Sequence, residues 1–139
     1  MSVNFALKSP MTIIARVVGP RGVVRELSSI LDFNSEYSAI FSRQALELGF
    51  NEGATTPRNW SIQHPDKVPI LFDLRGIERG TMITLKTVSV GRLVAEDVDA
   101  VIFELDFPRM MPFDLVLGRT FLKHFRLTVD SRAGYVSLT

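Results

Sequence analysis

The sequence predicts an all-β domain that also carries two short helices. Several runs are rich in β-branched and aromatic residues, Gly and Pro separate these runs, and only two short segments have helical spacing. A chain of 139 residues has the usual size of one domain and is long enough to bury a single core. We therefore expect residues 1–139 to form one domain.

The composition is that of an ordinary globular protein. Hydrophobic residues make up 46% of the chain and charged residues 22%. The net charge of +1 is small for a protein that neutralises many phosphates. No apolar run approaches the roughly 18 residues of a membrane span, and the first residues do not read as a secretory signal. We expect a cytoplasmic protein that binds neither nucleic acid nor membranes.

The absence of cysteine removes several kinds of chemistry. A chain without cysteine forms no disulfide, offers no thiolate nucleophile and builds no cysteine-based zinc site. The two histidines, His64 and His124, have no partner at ligand spacing, so we interpret both as surface or packing residues. No phosphate-binding glycine loop and no serine-hydrolase elbow is present. We predict no metal and no cofactor.

The first part of the chain predicts a β-hairpin followed by a helix. Residues Thr12–Val18 and residues 23–31 are rich in β-branched side chains and flank Gly19-Pro20-Arg21-Gly22, a cluster typical of turns. Residues 42–48 contain good helix formers, start with a Ser that can act as N-cap, and precede a Gly that can end the helix. Residues 51–67 contain Gly and Pro and indicate a long connection.

The second part predicts further strands and a second helix. β-rich runs cover residues 68–74, 81–90, 98–105 and 114–118, and a closing hairpin covers residues 125–130 and 135–138. We read residues 91–97 as the connection between two of these strands. Residues 119–125 have helical spacing of their apolar side chains and predict the second short helix.

Asp32 stands apart from the other acidic residues. Residues 29–40 read SILDFNSEYSAI, so an apolar strand end leads into Asp32 and apolar residues return before the helix. Residues 113–122 read FDLVLGRTFL, which is a short apolar strand, a Gly, an Arg and the start of a helix. These two segments, in this order, resemble the two signatures of the retropepsin-like aspartic proteases. The leading hairpin and the β-rich middle extend the resemblance to roughly residues 10–139.

The resemblance implies an acid-protease barrel of which each chain supplies one lobe. Two chains would form a homodimer in which two copies of the catalytic Asp32 meet and hold one water. That water would attack a peptide or protein substrate without a covalent intermediate. The implied activity is that of an aspartic endopeptidase that uses no cofactor.

The same resemblance assigns the residues around Asp32 to an active-site loop of Phe33, Asn34 and Ser35. Phe33 stands where the family has Thr or Ser, whose hydroxyl locks the two loops together. Asn34 stands where the family has Gly, which lets the backbone approach the carboxylates. Leu117 and Gly118 form the second signature.

Two further assignments follow from the resemblance. Glu36 and Arg119 match positions that pair in the viral relatives, and we expect them to tie the Asp32 loop to the second helix. The flap that closes over substrate is expected in residues 68–85, with Gly76 or Gly80 near its tip.

The departures at Phe33 and Asn34 leave a second function open. The chain could be a catalytically impaired pseudoprotease that keeps the dimeric cleft as a peptide-binding or assembly module. A third possibility is a generic β-barrel binding domain, which would require Asp32 to be an ordinary surface turn residue.

Overall fold

The computed structural model describes residues 2–7, 11–50, 58–59, 81–103 and 113–139, and for residues 58, 59, 81 and 103 it describes the backbone alone. The strands in these ranges are β1 (Val3–Ala6), β2 (Thr12–Val18), β3 (Val24–Leu31), β4 (Ser38–Phe41), β5 (Arg58–Asn59), β6 (Thr81–Val90), β7 (Leu93–Phe103), β8 (Leu115–Leu117), β9 (Leu127–Asp130) and β10 (Tyr135–Leu138). The helices are α1 (Ser42–Glu47) and α2 (Arg119–Leu122). The predicted class, mainly β with two short helices, is confirmed.

Six of the strands close into a barrel. Their hydrogen-bonding order is β2, β3, β8, β4, β7 and β6, and β6 pairs again with β2. β5 extends the same sheet by pairing with the start of β6. Closure satisfies the main-chain donors and acceptors that an open sheet would leave unpaired along its edges. No helix in the described part of the chain is long and apolar enough to cross a membrane.

The hairpin of β2 and β3 starts the barrel as the sequence predicts. The strands pair antiparallel from Thr12 opposite Ile30 to Val18 opposite Val24, and the Gly19 N–H closes the turn by donating to the Val23 carbonyl at 2.8 Å. The turn also rests against the end of α1, where a β-carbon at Gly19 would collide with the Leu48 carbonyl. A glycine is therefore needed for this close approach.

The hairpin of β6 and β7 is longer than the sequence predicts. The prediction started β7 at residue 98, whereas the strand begins at Leu93, directly after a two-residue turn at Gly91 and Arg92. Gly91 has a φ of 58°, which a side chain would disfavour. The prediction was wrong because the exposed Glu96 and Asp97, which suggested a loop, lie within the strand: Asp97, with a φ of 54°, interrupts its regular conformation without ending it.

A second, three-stranded sheet has the order β1, β10, β9. The predicted closing hairpin forms its β9 and β10. β1, which the sequence analysis did not predict, adds to it with Phe5 opposite Val136. Phe5 and Leu138 reach from this sheet into the main hydrophobic core. The first and last described strands therefore lie side by side.

Both helices are shorter than predicted. α1 begins at Ser42 but its N-cap is Phe41, with no side-chain cap, so the expected capping by Ser42 is wrong. The helix ends at Glu47, and Gly49 follows with a φ of 99°, as expected for a glycine stop. α2 spans one turn, after which the Phe125 N–H donates to the Leu122 carbonyl in an irregular continuation of the chain.

The barrel interior forms one continuous hydrophobic core. Its largest fully buried side chains are Leu27, Ile40, Leu48, Leu85, Leu115, Leu117, Phe121 and Leu138. These residues come from both signatures, from the helices and from the closing sheet. The strands that lead into the Asp32 loop and into the turn at Gly118 thus end in buried residues of this core, Leu31 and Leu117.

Several predicted features lie outside the described residues. They are the strand at residues 68–74, the candidate flap glycines Gly76 and Gly80, and His64.

Candidate active site

Asp32 lies at the point where β3 leaves the barrel. β3 ends at Leu31, which pairs in parallel with Leu117 of β8. The next residue, Asp32, donates its main-chain N–H to the Leu117 carbonyl at 3.0 Å, and its side chain is half-buried. The main chain that enters Asp32 is therefore fixed by the barrel, while the Asp32 side chain stays partly exposed. Asp32 is not an isolated surface turn residue.

The Asp32 loop turns sharply and holds its own carboxylate. The Asn34 N–H donates to Asp32 Oδ1 at 2.9 Å, which is the geometry of an Asx turn. Asn34 is exposed. The Phe33 side chain is half-buried and packs against the main core of the barrel. One Asp32 oxygen is thus oriented by the backbone, and Phe33 fastens the loop to the chain's own core.

β8 fits between the two strands that flank the Asp32 loop. It pairs in parallel with β3 and antiparallel with β4, where Ala39 lies opposite Val116. β8 ends at Leu117, and the backbone of the next residue, Gly118, passes close to the far side of the loop. A β-carbon at Gly118 would lie 2.8 Å from the Ser35 carbonyl oxygen and would also collide with the Tyr37 carbonyl. The second signature therefore requires Gly for steric reasons.

Main-chain bonds join the two signatures. The Arg119 N–H donates to the Ser35 carbonyl at 2.9 Å, and the Ser35 hydroxyl donates to the Tyr37 carbonyl at 2.7 Å. Ser35 is fully buried. The structure thus places Asp32, the loop of Phe33, Asn34 and Ser35, and the turn at Gly118 next to one another.

Buried hydroxyl groups under the loop form a network that the sequence analysis missed. Thr120 Oγ1 accepts the Ser38 N–H at 3.0 Å and lies 2.6 Å from the Asp99 carbonyl oxygen and 2.9 Å from Ser38 Oγ. Ser38 Oγ in turn accepts the Gly118 N–H at 3.1 Å. Both side chains are buried, Ser38 completely. Each of the two residues precedes a short apolar run, which is too common a pattern to mark a buried network.

The side-chain pair of Glu36 and Arg119 stays a prediction. Glu36 is half-buried and Arg119 is exposed, and the contact between their segments is the main-chain bond from Arg119 to Ser35. His124 is exposed on the continuation of α2. Within the described ranges no three His, Asp or Glu side chains converge as metal ligands.

Comparisons with known proteins were made by sequence and by structure. No protein-family model matches the sequence, and no curated protein sequence matches it significantly. A crystal structure of a retropepsin-like aspartic protease from Rickettsia conorii aligns with a TM-score of 0.65 at 16% sequence identity, over 99% of this chain and 90% of that one. The retroviral protease-like domain of Ddi1 from Leishmania major aligns with a TM-score of 0.47 at 13% identity, over 88% and 82% of the two chains.

The chain has a retropepsin-like fold. The predicted acid-protease barrel is therefore confirmed as an architecture. At these identities the likeness concerns the fold, and activity has to be argued from the residues of the site. Within the retropepsin-like fold described here, the candidate reacting group is one carboxylate, that of Asp32, oriented by the backbone of its own loop.

Proposed function

We propose that the protein is an aspartic endopeptidase of the retropepsin type that acts as a homodimer on a peptide or protein substrate. The observation that carries the proposal is the placement of Asp32. Its main chain is hydrogen-bonded to β8, its carboxylate is oriented by the Asn34 N–H, and it lies beside the turn at Gly118 in a retropepsin-like fold. A cytoplasmic location remains a prediction from the sequence.

The chemistry needs two carboxylates that differ in protonation. Two such groups a few ångströms apart share one proton, because both do not ionise easily at that distance. The ionised Asp32 takes a proton from a water as the water oxygen attacks the peptide carbonyl carbon. The protonated one gives its proton to the carbonyl oxygen, and a later transfer to the amide nitrogen releases the amine. One chain supplies one Asp32, so the proposal requires two chains.

The edge of the three-stranded sheet supports a dimer. Arg126 and Thr139 exchange two main-chain hydrogen bonds, of 2.8 and 2.9 Å. Bonded and non-bonded pairs alternate along an antiparallel ladder, so Leu127 and Val129 direct their main-chain groups away from β10. Their side chains are 39% and 52% exposed, and β9 has no second partner strand among the described residues. An exposed apolar edge of this kind favours pairing with another strand.

A two-fold axis at Thr128 gives a complementary pairing of two β9 strands. In that register Leu127 lies opposite the partner subunit's Val129, so the outward main-chain groups meet and apolar side chains face each other. Arg126 lies opposite the partner subunit's Asp130, which pairs opposite charges. The sequence of the strand is thus compatible with isologous pairing in a single register.

The test of the proposed function is the loss of cleavage on Asp32→Asn. In mildly acidic solution, the wild type is expected to cleave members of a broad peptide library. Asp32→Asn keeps the shape but removes the base, so the rate should fall by about a thousandfold or more. Cleavage is followed by mass spectrometry, which also gives the cleaved sequences.

The matched control is Asp97→Asn, which changes an exposed Asp of β7 at a φ of 54° that Asn also tolerates. This variant should cleave as the wild type does. Equal cleavage by wild type and Asp32→Asn would show that any peptidase activity comes from elsewhere, and the assignment to an aspartic endopeptidase would then be wrong.

A further inference from the structure

We infer that Thr120, acting through Ser38, is a positioning residue that holds the Asp32 loop in place from within one chain. This inference rests on the proposed function. It concerns residues that do not touch substrate but that fix the backbone on which Asp32 stands.

The first step is that each polar group of the Thr120 and Ser38 side chains has a hydrogen-bond partner. The Thr120 hydroxyl can donate one hydrogen. We assign it to the Asp99 carbonyl oxygen, which at 2.6 Å is its shortest contact. The Ser38 hydroxyl then supplies the hydrogen between the two hydroxyl oxygens, 2.9 Å apart, while Ser38 Oγ accepts the Gly118 N–H. With the bond from the Ser38 N–H, the polar groups of both side chains are satisfied.

The second step is the set of segments that the network joins. Thr120 lies at the start of α2, Ser38 at the start of β4, and Asp99 on β7. Thr120 is 82 positions from Ser38 and 21 positions from Asp99 in the sequence. The bonds therefore tie the two signatures to the barrel wall. Buried hydrogen bonds in such a dry setting are costly to lose, because each freed group stays without a partner.

The third step links the network to Asp32. Gly118, held by Ser38 Oγ, follows Leu117, whose carbonyl accepts the Asp32 N–H. On the other side of the loop, the Arg119 N–H holds the Ser35 carbonyl. Movement of the turn at residues 117–120 would therefore move both ends of the loop that carries Asp32.

The fourth step is that the side chain of Phe33 cannot form hydrogen bonds. The residue after Asp32 has no side-chain donor or acceptor, and it packs against the core of its own chain. The precision of the loop must then come from other contacts. The network of Thr120 and Ser38 is a buried polar contact that joins the loop to other segments of the barrel and can supply this precision.

The test compares Thr120→Val, which keeps the shape without the hydroxyl, with Thr120→Ser, which keeps the hydroxyl. A misplacement of about 1 Å can cost about a hundredfold in rate, so we expect Thr120→Val to lower kcat by about ten- to a hundredfold. KM should stay within about threefold, because substrate contacts are unchanged. Thr120→Ser should restore kcat to within about threefold of the wild type. A purely structural role would not produce this division between kcat and KM.

A second readout works without any activity. Amide hydrogen exchange of Asp32, Ser38 and Gly118 is measured in both variants, with the amides of β10 as an internal reference for global opening. We expect all three amides to exchange at least about tenfold faster in Thr120→Val relative to β10, and to keep the wild-type rates in Thr120→Ser.

The outcomes distinguish the proposed protease function from the positioning role of Thr120. If the wild type cleaves nothing but the Asp32 amide is deprotected in Thr120→Val, the proposed protease function fails and the positioning role stands. If the Asp32 amide keeps its protection, and kcat of any measurable cleavage is unchanged, the positioning role is wrong. If Thr120→Val does not fold, Ser38→Ala, which removes the acceptor of the Gly118 N–H, is measured in the same way and decides the question by the Asp32 amide.

Discussion

The packing of the site depends on the absence of a β-carbon at Gly118. Its φ of −98° is open to any residue, so glycine is not needed there for its backbone freedom. It is needed because the Ser35 and Tyr37 carbonyls approach the position that a β-carbon would occupy. These are main-chain atoms within the hydrogen-bonded loop, and they have little room to move.

We predict that Gly118→Ala destabilises the protein by about 3 kcal/mol, the upper range for overpacking a dense interior. Urea unfolding followed by circular dichroism measures the change. The control is Gly134→Ala, at a φ of 79° with no atom near the added methyl group, which should cost about 1–2 kcal/mol of backbone strain. Gly134→Ala should retain any cleavage activity, whereas Gly118→Ala should lose it. Equal stability and activity of Gly118→Ala and wild type would show that the loop is not packed as described.

At the residue scale, the local sequence singles out some residues of the candidate site and leaves others unmarked. Asp32 and Gly118 could be identified because each lies beside an apolar strand in a recognisable pattern. Ser38 and Thr120 could not, because their function depends on three segments that come together in the folded chain. Hydroxyl residues are common in strands and helix starts, so local sequence does not distinguish a buried network from an exposed one.

At the element scale, local pattern predicted the strands whose partners are close in sequence. The β2 and β3 hairpin was correct because turn residues and alternating burial are both local signals. β4 was missed because all four of its residues are buried, which leaves no alternation. β1 was missed because its partner β10 lies at the opposite end of the chain.

The exposed edge of β9 gives a prediction at the same scale. If two β9 strands pair about an axis at Thr128, the two Thr128 residues form a non-hydrogen-bonded pair, in which side chains come closest. The chain has no cysteine, so Thr128→Cys introduces a single thiol. We expect mild oxidation to convert this variant into a disulfide-linked dimer of twice the 15.6 kDa chain mass on a non-reducing gel.

The control for this crosslink is Thr12→Cys, an equally exposed Thr on β2. It should remain monomeric on the same gel at the same protein concentration. Crosslinking of Thr12→Cys to the same extent would indicate random collision, and the absence of crosslinking in Thr128→Cys would exclude the proposed register.

At the scale of the whole molecule, the architecture was predictable because two signatures and a β-rich middle were in the right order. The resemblance predicted a barrel, but the sequence did not show which strands pair to close it. The pairing of β2 with β6 joins residues about 70 positions apart, and the insertion of β8 between β3 and β4 brings the second signature beside Asp32. Such non-local pairings depend on the whole chain, since each strand is stabilised by its neighbours in the sheet.

The final prediction concerns the number of chains in the active unit. If two Asp32 residues form one site, a subunit carrying Asp32→Asn should inactivate each wild-type subunit with which it pairs. After subunit exchange with a fourfold excess of Asp32→Asn, about one-fifth of the wild-type subunits would still be paired with each other, so activity should fall to about one-fifth. The measurement is the cleavage rate at constant wild-type concentration, and a fourfold excess of an unrelated protein serves as the control for substrate competition. Activity that is independent of added Asp32→Asn, while affinity capture of a tagged Asp32→Asn chain also recovers wild-type chains, would mean that one chain carries a complete site.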